Sequence, residues 1–144
     1  FHRLGWAAKM AFRAGRVSEA KVHAEELQKL TPQFKEDEYY ASAIHDSNIV
    51  LGRVAVQDGQ IEQAKHYLIE SAKTPDPEPL KDFGPDLSLA KDLMEAGEYD
   101  RVAEFISICK PFWGTKKQGL RHCLKALKDG KKPDPNDYTI FTFI

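Results

Sequence analysis

Apolar residues recur along this chain at three- and four-residue steps, the period of a helix with one buried face. Val17, Ala20, Ala24, Leu27 and Leu30 form one such stripe. Thr31-Pro32 closes it, because a proline ring restricts the residue before it and has no N–H to donate. A longer stripe follows through Tyr40, Ile44, Ser47, Leu51, Val54 and Ala55, ending near Asp58-Gly59, where glycine takes the left-handed C-terminal conformation cheaply. Ile61, Ala64, Leu68 and Ser71 carry the next. Leu89, Ala90 and Leu93 precede a break at Gly97, and Val102, Ile106 and Cys109 run on to Pro111. Thr115 is the expected N-cap of a last helix with Leu120, Cys123, Leu124 and Leu127 on one face and Gly130 at its end. Thr74-Pro75-Asp76-Pro77-Glu78-Pro79 cannot continue a helix and is expected to form an ordered or extended connector through Gly84-Pro85. Residues 138–144 are β-branched and aromatic with no second strand in view, so they are expected to lie extended on the last helices.

Three blocks read alike: Gly15-Arg16-Val17-Ser18-Glu19-Ala20, Gly59-Gln60-Ile61-Glu62-Gln63-Ala64 and Gly97-Glu98-Tyr99-Asp100-Arg101-Val102. They recur after 44 and then 38 residues. The expectation is one all-α domain over 1–144: helix pairs over about 2–32, 36–74 and 85–112, then a cap over 115–144. Small residues at Ala8, Gly52 and Ala90, and at Ala20 and Ala64, would let helix backbones approach closely. With these residues in place the chain resembles the tetratricopeptide repeat. The second copy matches most fully, with Leu51-Gly52, the turn Gly59, Ala64 and Leu68 at the family positions. Ala7-Ala8, Gly15, Ala20, Ala24 and Pro32 match in the first, and Leu89-Ala90, Gly97, Val102 and Ile106 in the third. The connector and the Leu-Ala-Lys helix after it also look like those of uncharacterised bacterial helical-repeat proteins.

The resemblance implies a right-handed α–α superhelix, a tetratricopeptide-like solenoid whose concave face holds a peptide or protein. The copies depart from the family's 34-residue spacing. The extra residues fall in the long helix before Leu51 and in the proline-rich connector, and these insertions are where this chain's own specificity is expected.

Aligned on their turn glycines, the copies place Lys9, Arg53 and Lys91 at one equivalent position, which in the family faces the groove. Three cations along a concave wall would suit an acidic segment, since a recessed surface focuses the field. Phe12, Arg13, Ile49, Val56, Gln57, Met94 and Glu95 are neighbouring groove-phase positions, a mixture of apolar anchors and fixed charge that peptide recognition needs. The competing explanation is that these are solvated faces of amphipathic helices.

Composition narrows the rest. The chain is 42% hydrophobic and 30% charged, ordinary for a folded domain. No apolar run approaches the ~20 residues of a membrane helix. Cys109 and Cys123 fall on apolar helix phases and are expected to be buried free thiols, which favours a reducing, cytoplasmic setting. The chain opens on Phe1, so a signal peptide removed upstream stays open as the alternative. Residues 110–132 carry +7, against −8 on the remainder. The basic stripe Lys117, Arg121, Lys125 and Lys128 lacks interleaved aromatics and any nucleic-acid motif, so a solvated capping helix is expected there and nucleic acid is not.

His2, His23, His45, His66 and His122 include no pair at metal-ligand spacing. His45, Asp46 or Asn48 would instead hydrogen-bond the connector. Ser18 and Ser88 are expected to cap helix starts. No catalytic motif, phosphate loop or cofactor fingerprint is present. The expected function is a non-enzymatic protein- or peptide-binding scaffold without cofactor or metal. The alternative is self-assembly into a homo-oligomer through the solenoid end and residues 138–144.

Overall fold

A computed structural model of the chain describes residues 1–75, 80, 84–112 and 117–133. These residues are helical throughout their regular structure. The helices are α1 (Leu4–Arg13), α2 (Val17–Leu30), α3 (Tyr40–Gln57), α4 (Ile61–Ala72), α5 (Ser88–Glu95), α6 (Tyr99–Ile108) and α7 (Lys117–Lys128). Short 3-10 turns lie at Thr31–Phe34 and Lys110–Phe112. The tail expected over 138–144, the cap expected at Thr115 and much of the proline-rich connector lie outside the described residues.

The repeated block is repeated down to its hydrogen bonds. Gly15, Gly59 and Gly97 have φ of +77°, +73° and +83°, a region closed to most side chains. In each turn the glycine N–H donates to the carbonyl three residues back: Phe12, Val56 and Met94, at 3.0, 3.1 and 3.0 Å. The following N–H donates five residues back, from Arg16 to Ala11, Gln60 to Ala55 and Glu98 to Leu93, at 2.8–2.9 Å. That pair of bonds satisfies the open carbonyls at a helix end and turns the chain back on itself. The same pair ends α7 at Gly130.

Each helix pair packs on the next. α3 rests on both α1 and α2, α5 on both α3 and α4, α6 on α4, and α7 on α6. One core cluster joins Ala8, Ala11, Phe12, Ala20 and Ala24 to Val50, Leu51 and Val54 of α3. A larger one runs from α3 and α4 through α5 and α6 to Cys123, Leu124 and Leu127 of α7, and Tyr67 touches both. Both cysteines are fully buried, and burial pushes the Cys109 thiol up, away from thiolate chemistry. No described helix is long and apolar enough to cross a membrane.

Close approach is tightest at Gly52. A Cβ there would stand 2.2 Å from Leu89 Cδ2 and 3.1 Å from Tyr67 Cβ. Ala8, Ala20, Ala64 and Ala90 are likewise fully buried. Gly52→Val is therefore expected to lower the unfolding free energy by about 3 kcal/mol, overpacking outweighing the ~1 kcal/mol a helix gains on losing glycine. Leu89→Ala in the same chain should recover part of the loss in urea melts. An unchanged midpoint for Gly52→Val would show that the helices do not meet there.

The helix ends depart from expectation in one respect. Ser18 makes no cap, since α2 starts without a side-chain cap bond. The Ser88 hydroxyl donates to Asp86 Oδ1 at 2.6 Å, and the same oxygen accepts the Ser88 N–H at 2.9 Å. Asp86 is the capping side chain of α5, because a carboxylate two residues upstream reaches that N–H with more charge than a hydroxyl carries.

Candidate functional site

α1 and α3 run side by side with the start of α5 beside them, and a shallow open depression lies between them. Its lining includes Lys9, Phe12 and Arg13 of α1, Ile49, Val50 and Arg53 of α3, and Asp86 and Ser88 at α5. The space is about 250 Å³ counted out to its mouth. Most of that is open solvent, so the feature is a dimple between the helices and not an enclosed ligand pocket.

Five residues expected at the groove therefore border one depression: Lys9, Phe12, Arg13, Ile49 and Arg53. Ile49 does so with almost no surface of its own open. The others lie apart from it, Val56 and Glu95 included. Gln57 and Lys91 are exposed at the end of α3 and on α5. Met94 is fully buried in the larger core cluster and presents nothing to the surface.

The cations do not form a bare ladder. Lys9 Nζ lies 2.5 Å from Asp46 Oδ1 and 3.1 Å from Asp86 Oδ2, with all three side chains at least three-quarters buried. Burial alone would lower the Lys9 pKa, but the two carboxylates outweigh it and hold the ammonium above its ordinary value. Burial likewise works to raise the Asp86 pKa. Lys9, the two Ser88 hydrogen bonds and His45 override it, and the carboxyl stays well below the usual range. Arg53 Nε donates to Asp92 Oδ2 at 2.8 Å while its guanidinium sits 4.6 Å over the Phe12 ring. Lys9 is thus matched by Asp46 of the second pair and Asp86 of the third, and Arg53 by Asp92 of the third, so the charges tie the three pairs together. Arg13 and Lys91 are the groove-phase bases with no ion pair among the described residues.

His45 underlies this arrangement. Its Nδ1 lies 2.8 Å from the Ser71 carbonyl, and its Nε2 accepts the Asp86 N–H at 2.8 Å. The two bonds fix the tautomer, with the proton on Nδ1. Burial pushes the imidazole pKa down, against the opposing pull of Asp46 and the Ser71 bond, so the ring is neutral near pH 7. Of the three residues expected to reach the connector, His45 meets its two ends, Ser71 before it and Asp86 after it. Asp46 turns to Lys9 instead. Asn48 turns to α2, accepting from Gln28 Nε2 at 3.2 Å. Both insertions are thereby pinned to each other: the extra N-terminal turns of α3 carry His45, and the connector delivers Asp86.

Asp86 and Asp92 have no counterparts among the groove positions read from the repeat, because α1 and α3 carry other residue types there. The sequence signal for Asp86 was local: an aspartate two residues before a serine at a helix start. On α7, Arg121, Lys125 and Lys128 are exposed and make no ion pair among the described residues, a solvated outer face over the buried Cys123, Leu124 and Leu127. No protein-family model, curated protein or solved structure matches this chain.

Proposed function

We propose that the chain is a non-enzymatic binding module: a tetratricopeptide-like, right-handed stack of helix pairs whose inner face holds a segment of another protein. The observation that carries this reading is the convergence of Lys9, Phe12, Arg13, Ile49 and Arg53, chosen by repeat register, on one open depression. A partner segment lies across the depression over Phe12. A carboxylate on the same segment meets Arg13 and the guanidinium N–H groups of Arg53 that Asp92 leaves unused. Lys91 extends the positive edge along α5. The segment is acidic, because the exposed bases on this face, Arg13 and Lys91, make no ion pair among the described residues. The buried Cys109 thiol accords with a reducing, cytoplasmic setting.

The test uses the exposed bases and leaves Lys9 alone, since reversing a cation held between two carboxylates would perturb folding. Arg13→Glu with Lys91→Glu is expected to keep the helical circular dichroism and melting temperature within a few degrees, as exposed substitutions do. Partners captured by the unmodified chain should fall at least tenfold with this variant. Equal capture by the two chains would place binding elsewhere.

A further inference from the structure

We infer that His45 and Asp86 form an acid-released latch, which holds the end of the connector closed on α3 at neutral pH and lets it go as the solution falls toward pH 5.5. The segment concerned is short. Residues 84–86 lie between Leu80 and Leu87, both buried in the larger core cluster, and those two side chains hold the segment at either end. Between them the backbone of 84–86 bonds to no other backbone among the described residues. Its tether to α3 is a side chain: the Asp86 N–H donates to His45 Nε2 at 2.8 Å.

The geometry makes that tether conditional on the state of the ring. A neutral imidazole with its proton on Nδ1 bonds the Ser71 carbonyl at 2.8 Å and still offers the Nε2 lone pair to the Asp86 N–H. An added proton sits on Nε2 and sets donor against donor. The ring faces Lys9 from α1, Asp46 on α3 itself, the Ser71 carbonyl from α4 and Asp86 ahead of α5. Lys9, Asp46 and Asp86 together carry one negative charge, so charge alone would accept the proton. Burial and the hydrogen bond that would be lost oppose it while the latch is closed.

Opening removes both costs. The Asp86 N–H turns to water, and the carboxylate of the same residue, an acceptor, takes its place beside the imidazolium. That carboxylate is drawn away from Lys9 Nζ and from the N–H and hydroxyl of Ser88. Lys9 keeps Asp46 alone, and α5 loses its cap. Lys9, Asp86 and Ser88 all border the depression between α1 and α3. Release therefore redraws one wall and withdraws a carboxylate from its cation, which strengthens the hold on an acidic segment. That consequence rests on the depression being the binding face; the latch itself does not, and its test needs no ligand.

The test follows amide exchange in the full chain by NMR at pH 7.5 and 5.5, each rate divided by the intrinsic rate at that pH. A ring that titrates near 6.5 when released and stays neutral when held makes opening about tenfold easier across this range. Protection of the Asp86 N–H should fall by that factor, and that of the Ser88 N–H with it. Low urea should leave both unchanged while it speeds the Phe105 amide in the core, the mark of a local opening. In His45→Gln, which cannot titrate, the two protections should stay within about twofold over the same range. The unmodified chain gives a second reading, independent of how that variant folds: imidazole nitrogen shifts at pH 7.5 should show a neutral ring protonated on Nδ1. A flat profile for Asp86, a pH dependence kept in His45→Gln, a urea dependence equal to that of Phe105, or a ring already charged at pH 7.5 would overturn the inference. Capture by Arg13→Glu with Lys91→Glu bears on the depression alone, so the two proposals fail separately.

Discussion

His45→Ala is expected to lower the unfolding free energy by about 3–5 kcal/mol at pH 7.5, read from urea melts. The imidazole is fully buried and bonded at both nitrogens, to the Ser71 carbonyl and from the Asp86 N–H. Truncation leaves both backbone groups without a partner, at ~1–3 kcal/mol each, and adds a ring-sized cavity. Exposed histidines bear on this differently. His66→Ala, on the outer face of α4, should stay within about 0.5 kcal/mol of the unmodified chain. A His45→Ala midpoint as high as that of His66→Ala would mean that the connector is held by other contacts.

The same residue sets an acid dependence of definite sign. The folded-state pKa of His45 lies below its unfolded value. Between the two values the unfolded chain binds the additional proton, and stability falls as pH falls. The contribution is whole above about pH 6.5 and declines below it, by at most ~1.4 kcal/mol per pH unit, levelling off once the folded ring also protonates. Asp46, Asp86 and Lys9 face the ring, and their combined charge moderates the shift without reversing it. Asp86 adds a loss of the same sign, but only below about pH 4, where carboxylates ordinarily protonate. The two windows are therefore separable. His45→Gln should flatten the stability profile between pH 6.5 and 5 and leave the lower limb in place.

Legibility in the sequence followed locality. The glycine turns were readable because a positive φ is a demand that one residue type meets by itself, and the φ values at Gly15, Gly59 and Gly97 bear this out. The small positions were readable for the same reason: Gly52 and its alanine counterparts are dictated by backbone proximity. Register then brought Lys9, Phe12, Arg13, Ile49 and Arg53 to one place. What periodicity could not provide is what lies across from a given residue when its neighbour belongs to an insertion. Counted from the turn glycines, Asp46 and Asp86 stand opposite His2 and Leu4, which are not acids, so the alignment of the copies gives no sign that they meet Lys9. Met94 holds a groove-phase position yet is buried, because α5 meets a different set of neighbours from α1.

Lys9→Met is expected to cost about 2–4 kcal/mol of stability, between an exposed ion pair at ~0–1 and a fully buried one at ~3–5 kcal/mol. The cluster has one cation and two carboxylates, with His45 neutral near pH 7, so removing Lys9 leaves two like charges together in a half-sheltered site. Asp46→Asn takes away the surplus carboxylate and leaves a matched Lys9–Asp86 pair, so alone it should cost under about 1 kcal/mol. Combined with Lys9→Met it should return part of that variant's loss, a coupling that independent sites would not give. The alkaline limb provides a second reading. Lys9 has a folded-state pKa raised above its unfolded value, so its contribution is whole below about pH 10.5 and is lost as pH rises through the folded value. Lys9→Met should remove that limb. A Lys9→Met chain as stable as the original would show the ammonium to be solvated and free. Lys9 would then join Arg13 as a cation available to a ligand carboxylate, in place of a strut between the first helix pair and the two insertions.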